Sequence, residues 1–127
     1  MTLKLAAAAL SAAALAAFAL PVNAAPTKND CFLASRWENW RSPSPDVLYL
    51  RVGMHDVYRV DLAAGSNRLN DVGAHLVSVM DGGSMVCGPL DLRLYVSDGT
   101  FRTPLIAKTI TKMTPDEIAA IPKKYKP

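Results

Sequence analysis

His55 and its neighbour Asp56 are the residues of this chain best suited by type and spacing to do chemistry. A histidine beside a carboxylate supplies a proton acceptor near neutral pH and a group to orient it. Asp61 follows in the next segment, and Lys108 or Lys112 would stabilise a developing anion, as a small hydrolase or nuclease requires. His75 is the second histidine of the chain and the third candidate. Neither histidine belongs to a zinc-like Cys or His spacing, so no metal ligand set is expected, and nothing calls for a cofactor. Ser84 stands in Gly83-Ser84-Met85-Val86, which lacks the Gly-x-Ser-x-Gly elbow, and Gly82-Gly83 lacks the lysine of a phosphate loop. The simpler reading of His55 and Asp56 is a polar turn that faces water.

Aromatic residues are better material for recognition. Trp37, Trp40, Tyr49 and Tyr95 form a candidate binding surface, with Phe101 as a further ring. Ring faces offer large contact area at low entropy cost, so a tryptophan exposed beside Tyr49 would make a platform for a sugar, peptide or other apolar face. The alternative is that both tryptophans close one end of a small sheet.

The elements that must position these residues are mostly strands. In Val47 to Val52, Leu48, Leu50 and Val52 alternate with Tyr49 and Arg51; in Val57 to Leu62, Tyr58, Val60 and Leu62 repeat the pattern. Joined by the short link Gly53 to Asp56, the two predict an antiparallel hairpin. Phe32 to Trp40 suits a helical turn or a bent strand, and Ser42-Pro43-Ser44-Pro45-Asp46 predicts a turn or extended link. Ala63 to Asp71 reads as a loop with Leu69 as a plug. His75 to Met80 is a third strand candidate, closed by a turn at Asp81-Gly82-Gly83, and Met85 to Cys87 starts another. Leu90 to Val96 gives the most regular alternation, and Asp98-Gly99 turns it into Thr100 to Thr103. Pro104 predicts an edge, a bulge or a break before a last strand at Leu105 to Thr111. Thr114-Pro115-Asp116-Glu117 opens a short helix to Ile121 with a cap, a first-position proline and a capping-box glutamate. Such a helix needs Ile118 and Ile121 docked on the sheet, and the lysine-rich tail after it is expected to fray. The fold class is therefore mainly β: a small twisted antiparallel sheet or partly closed barrel with a short C-terminal helix.

Residues 1–24 read as a cleavable signal peptide. Lys4 gives a positive start, Leu5 to Leu20 an apolar run, and Pro21 precedes Val22-Asn23-Ala24 at a cleavage site. The run of 16 residues would span only about 24 Å as a helix against a hydrocarbon core of ~30 Å, so no stable membrane insertion is expected after cleavage. The mature part, residues 25–127, is long enough for one domain, with an ordered core expected over about 31–121. Losing Lys4 takes the formal charge from +3 to about +2, too small a bias to imply nucleic acid. The expected location is the periplasm or the exterior. Cys31 and Cys87 are the two cysteines, and in an oxidising compartment an even pair argues for one disulfide, with two buried thiols or a redox pair as alternatives. No Cys-x-x-Cys spacing supports redox exchange.

Several of these residues together resemble a family of small exported bacterial proteins catalogued only as a domain of unknown function. They are Cys31, Asn39-Trp40-Arg41 followed by Asp46, Val52-Gly53 leading to Val57-Tyr58-Arg59-Val60, Val86-Cys87-Gly88 before the Leu90 to Val96 segment, and Met113-Thr114-Pro115-Asp116-Glu117. The resemblance covers most of the mature chain and carries no catalytic signature. It implies two further cysteines, near Ser66 and near Arg102 or Thr103, both absent here. Loss of both as a unit supports pairing Cys31 with Cys87. The function expected is a non-enzymatic periplasmic or secreted binding or structural protein acting on an envelope protein, peptide or polymer. The alternatives are a small hydrolase or nuclease using His55 and a nearby carboxylate, and an inhibitor or accessory subunit of an envelope protein.

Overall fold

The computed structural model describes residues 30–79 and 85–127. The signal peptide expected over residues 1–24 and the turn expected at Asp81-Gly82-Gly83 lie outside the described residues. In chain order the strands are β1 (Phe32–Leu33), β2 (Trp37–Ser44), β3 (Val47–Val52), β4 (Asp56–Ala64), β5 (His75–Val79), β6 (Met85–Val86), β7 (Arg93–Ser97) and β8 (Arg102–Lys112), followed by helix α1 (Pro115–Ala120). Six of them form one antiparallel sheet, ordered β2-β3-β4-β8-β7-β5, which curls into a half-barrel. β1 and β6 pair in a separate two-stranded ladder.

Alternation sets the faces. Leu48, Leu50 and Val52 on β3, and Tyr58, Val60 and Leu62 on β4, point into the curl, while Tyr49 and Arg51 point out. Leu94 and Val96 on β7 complete the inner face, and Phe32 and Val86 enter it from the short ladder. Each fully buried leucine contributes about 2 kcal/mol, so this one cluster is the main source of stability. Leu69 is buried as expected, held in a turn (Asn67–Asn70) whose cap is the Ser66 hydroxyl accepting from the Arg68 N–H. The disulfide joins Cys31 to Cys87 beside the β1–β6 ladder, tying the first described segment to the strand system.

The two tryptophans share the inner side, although i and i+3 in a regular strand face opposite ways. A register shift between Trp37 and Asn39 inserts the extra residue that restores the match, putting Trp37 across from Val52 and Trp40 across from Leu50. The bent-strand alternative therefore holds. Beyond it, β2 runs on through Pro43 to Ser44, and the turn is only Pro45-Asp46, a correction to the longer link expected. Pro43 is tolerated because it lies on an edge strand within a second register shift, between Arg41 and Ser44.

Two further expectations need correction, and one is narrowed. The strand expected from Leu90 begins only at Arg93, because the Asp91 carboxylate accepts the N–H groups of Cys87 and Gly88 (both 3.0 Å) and winds Pro89–Asp91 into a 3-10 turn, leaving Leu90 exposed. Of the three readings of Pro104 the break fails and the edge holds: β8 runs unbroken from Arg102 to Lys112, but at Pro104 it is flanked by β7 alone. Pro104 pairs with Tyr95 on β7 but lies beyond Ile106, the last residue paired to β4, so its missing N–H removes no ladder bond there. Nor does the tail fray: Lys123–Tyr125 form a 3-10 turn that packs against β2, with Tyr125 half-buried.

The hairpin between β7 and β8 is held by Asp98, which accepts from the N–H groups of Thr100 (2.9 Å) and Phe101 (2.8 Å). These bonds, with Arg68 beside it, hold the Asp98 carboxyl below the ordinary carboxylate range. At the other terminus, the Thr114 hydroxyl accepts from the Glu117 N–H and the Glu117 carboxylate accepts from the Thr114 N–H (2.7 Å). Ile121 is buried on the outer face of the sheet and Ile118 partly so. With so few turns of its own, α1 depends on that cap: Thr114→Ala is expected to cost about 1 kcal/mol in urea unfolding, and a loss below a few tenths would show the box idle.

Candidate functional site

The β3–β4 hairpin brings Met54 and His55 to its tip, with Asp56 at the first position of β4. Gly53 takes the left-handed conformation the turn needs (φ 61°), and its N–H donates to the Arg36 carbonyl at 2.8 Å. That bond fixes Arg36 next to the turn, with its guanidinium 3.5 Å from the place a Gly53 side chain would occupy. Across from the hairpin stand Leu33 of β1 and Met85 of β6, anchored by the disulfide, and the floor is Phe32 and Tyr58 with ring centroids 4.6 Å apart. Lys112, at the end of β8, closes one side. The result is an open cleft of about 510 Å³.

Its charges are partly paired. Lys112 Nζ lies 3.2 Å from Asp56 Oδ2 and 6.0 Å from the centre of the Tyr58 ring. The hydrogen bond to Asp56 raises the Lys112 ammonium above its usual range, so it is a fixed cation and not an amine nucleophile. Burial pushes the Tyr58 phenol up, against the opposing pull of Lys112, so it stays protonated near neutral pH. Among the described residues neither Arg36 nor His55 has a side-chain hydrogen bond or an acidic partner. The cleft therefore offers an uncommitted guanidinium and imidazole beside a neutralised Lys–Asp pair.

The apolar part is distinctive. Leu33 (37% exposed), Met54 (81%) and Met85 (50%) all line this one cleft. Isolated exposed hydrophobics are ordinary, whereas here three line one opening, two of them flexible methionines.

Of the candidates read from sequence, the cleft gathers His55, Asp56 and Lys112 but not Lys108, Asp61 or His75. Asp61 is engaged by Arg59 (2.9 Å) and the Thr109 hydroxyl (2.9 Å) on the outer face. His75 pairs with Ser97, itself across from Arg102, at the far end of β8 from Lys112. Ten residues of strand separate those ends, about 33 Å. The aromatic candidates do not form one platform. Trp37 and Trp40 pack on the core side; Tyr49 lies on the outer face near α1; Tyr95 is on the outer face of β7, with β4 and β8 between them. Trp40 instead lines a separate cavity of about 270 Å³ with Tyr125. Leu33, Arg36, Met54 and Met85 were not singled out by sequence. Met54 carried the one available signal, an apolar side chain in a tight turn.

Among the described residues no three of His, Cys, Asp and Glu come together as a metal site, and no helix is long and apolar enough to cross a membrane. Compared with known proteins, the chain matches no family model, and no characterised protein or solved structure is detectably similar to it.

Proposed function

We propose that this chain is an exported, non-enzymatic binding domain that receives an extended segment of an envelope protein in the cleft at its disulfide end. The observation that carries this is the convergence of exposed Leu33, Met54 and Met85 on one opening beside Arg36, which has no acidic partner among the described residues. Such a surface suits a peptide with apolar side chains and a carboxylate. Residues 1–24 and the Cys31–Cys87 bond support a periplasmic or secreted location, and the same features suit the family of small exported proteins that the sequence resembles. An inhibitor or accessory subunit would use the same cleft.

Met54 and Met85 are exposed, so Met54→Ala combined with Met85→Ala should leave the thermal midpoint within a degree or two. The same double variant should lower the yield of partner cross-linked in intact envelopes about tenfold, the equivalent of about 1.4 kcal/mol of binding. An unchanged yield would remove the cleft from recognition.

A second reading, a small hydrolase or nuclease, is favoured by the presence of His55, Asp56 and Lys112 in the same cleft. It is weakened by the commitment of Asp56 to Lys112 and by the exposure of His55 in a turn, where no bond orients the ring. On the binding account, His55→Ala leaves partner yield within a factor of a few.

A further inference from the structure

We propose that the cavity between β2, residues 69–74 and the C-terminal turn binds one uncharged sugar unit of a polysaccharide, with Trp40 and Tyr125 as aromatic walls and Asn70, Asp71 and Lys124 as a hydrogen-bonding rim. It shares no residue with the cleft at the disulfide end, so it stands apart from the binding proposal above.

Three separate segments build the pocket. Trp40 comes from edge strand β2, across from Leu50, and packs against the core. Buried Leu69 is the floor. Beyond it the Asp71 N–H donates to the Arg68 carbonyl and the Ala74 N–H to the Asp71 carbonyl (both 3.1 Å), while the Arg68 guanidinium is tied to Asp98 (2.6 Å). Tyr125 comes from the Lys123–Tyr125 turn, whose last N–H donates to the Pro122 carbonyl (2.9 Å). Fixing these segments in advance lowers the entropy cost of binding.

Its polar groups are unused by the protein. The Trp37 indole N–H donates to the Asn39 carbonyl (3.0 Å), but the Trp40 indole N–H and the Tyr125 hydroxyl have no hydrogen-bond partner among the described residues, and neither is shut off from solvent. The side chains of Asn70 and Asp71 likewise make no hydrogen bond or ion pair among the described residues. Lys124 Nζ lies 4.7 Å from the centre of the Tyr125 ring, and Arg41 donates to the Trp40 carbonyl (2.8 Å). Half-buried rings with open polar tips, beside an amide, a carboxylate and an ammonium, meet the needs of a sugar. The ring faces carry partial negative charge that attracts polarised C–H groups, and each sugar hydroxyl both donates and accepts. Asp71 disfavours a phosphate or uronate there, and Lys124 and Arg41 disfavour an amine. The volume of about 270 Å³ falls just below the ~300–1,000 Å³ of sites for drug-sized ligands, and suits a single ring.

The test is a titration of the purified, isotope-labelled protein with maltotetraose, cellotetraose and tetra-N-acetylchitotetraose, read by NMR in the indole N–H signals of Trp37 and Trp40. At least one sugar is expected to shift the Trp40 signal saturably at millimolar concentration and to leave the Trp37 signal in place. Asn70→Ala combined with Asp71→Ala, neither of which has a side-chain bond to lose within the protein, should weaken that binding about tenfold with the rest of the spectrum unchanged. Three outcomes would overturn the proposal: no shift with any of the sugars, a shift of equal affinity in the double variant, or saturation of the same signal by tetra-alanine, which would assign the pocket to peptides.

Discussion

Replacing Cys31 and Cys87 together by serine is expected to lower the unfolding free energy by about 4 kcal/mol, the largest effect of any substitution considered for this domain. The bond spans 56 residues, so removing it returns a long loop's freedom to the unfolded chain. Domains of this size are stable by only 5–15 kcal/mol, and the variant would sit near the lower margin of folding. The native state is affected as well. The β1–β6 ladder has just two residue pairs, Phe32 with Val86 and Leu33 with Met85, and without the covalent tie little holds it over the open side of the half-barrel. Phe32 and Val86 would leave the core, and the cleft would lose its Leu33 and Met85 wall. Denaturant unfolding of the double variant measures the effect; a loss below about 1 kcal/mol would mean that packing alone holds the ladder.

Gly65→Ala is expected to destabilise by about 3 kcal/mol, despite being a one-methyl change. A β-carbon at position 65 would overlap the Pro45 carbonyl oxygen and lie 2.7 Å from its carbon. Both neighbours are backbone, and neither can swing aside. The contact is part of a tightly bonded corner, in which the Ser66 N–H donates to the Pro45 carbonyl (3.1 Å) and the Leu62 N–H to the Asp46 carbonyl (2.8 Å). Moving Pro45 would therefore strain the β2–β3 turn and the end of β4 together. At an unstrained site the same substitution stabilises by about 0.4–1 kcal/mol, because alanine restricts the unfolded chain. The sign of the change thus reports the contact directly. The thermal midpoint should fall by about 15 °C, and an unchanged or higher midpoint would show that the corner opens at no cost.

Much of the fold was legible because it is local. The β3–β4 hairpin, its buried face, the Leu69 plug and the Thr114 capping box each follow from residues within a few positions of one another, where period and side-chain chemistry decide the outcome. The departures arise where a distant partner decides. Pro104 is acceptable in β8 only because β4 ends at Ala64, opposite Ile106, which no local pattern reveals. Leu90 fits the alternation of the strand that follows, but two backbone bonds to Asp91 claim the segment first. Trp37 and Trp40 share a face through a bulge whose cause lies in the pairing with β3.

The cleft was legible only in part, for the same reason. His55, Asp56 and Lys112 attract notice by residue type, whereas Leu33, Arg36, Met54 and Met85 become significant only when four separate segments meet. Exposed methionines in a sequence look like any other apolar residues. Their meaning comes from convergence, which strand order creates.

The most direct measurement of the central claim is site-specific photocross-linking in the intact envelope. A photoreactive residue is placed at Met54, on the cleft, or at Phe101, which is also exposed (64%) but lies beyond the opposite end of β8. The binding account predicts a discrete protein adduct from position 54, lost on Arg36→Glu, and no such adduct from position 101. No adduct at 54, or the same adduct from both positions, would contradict it.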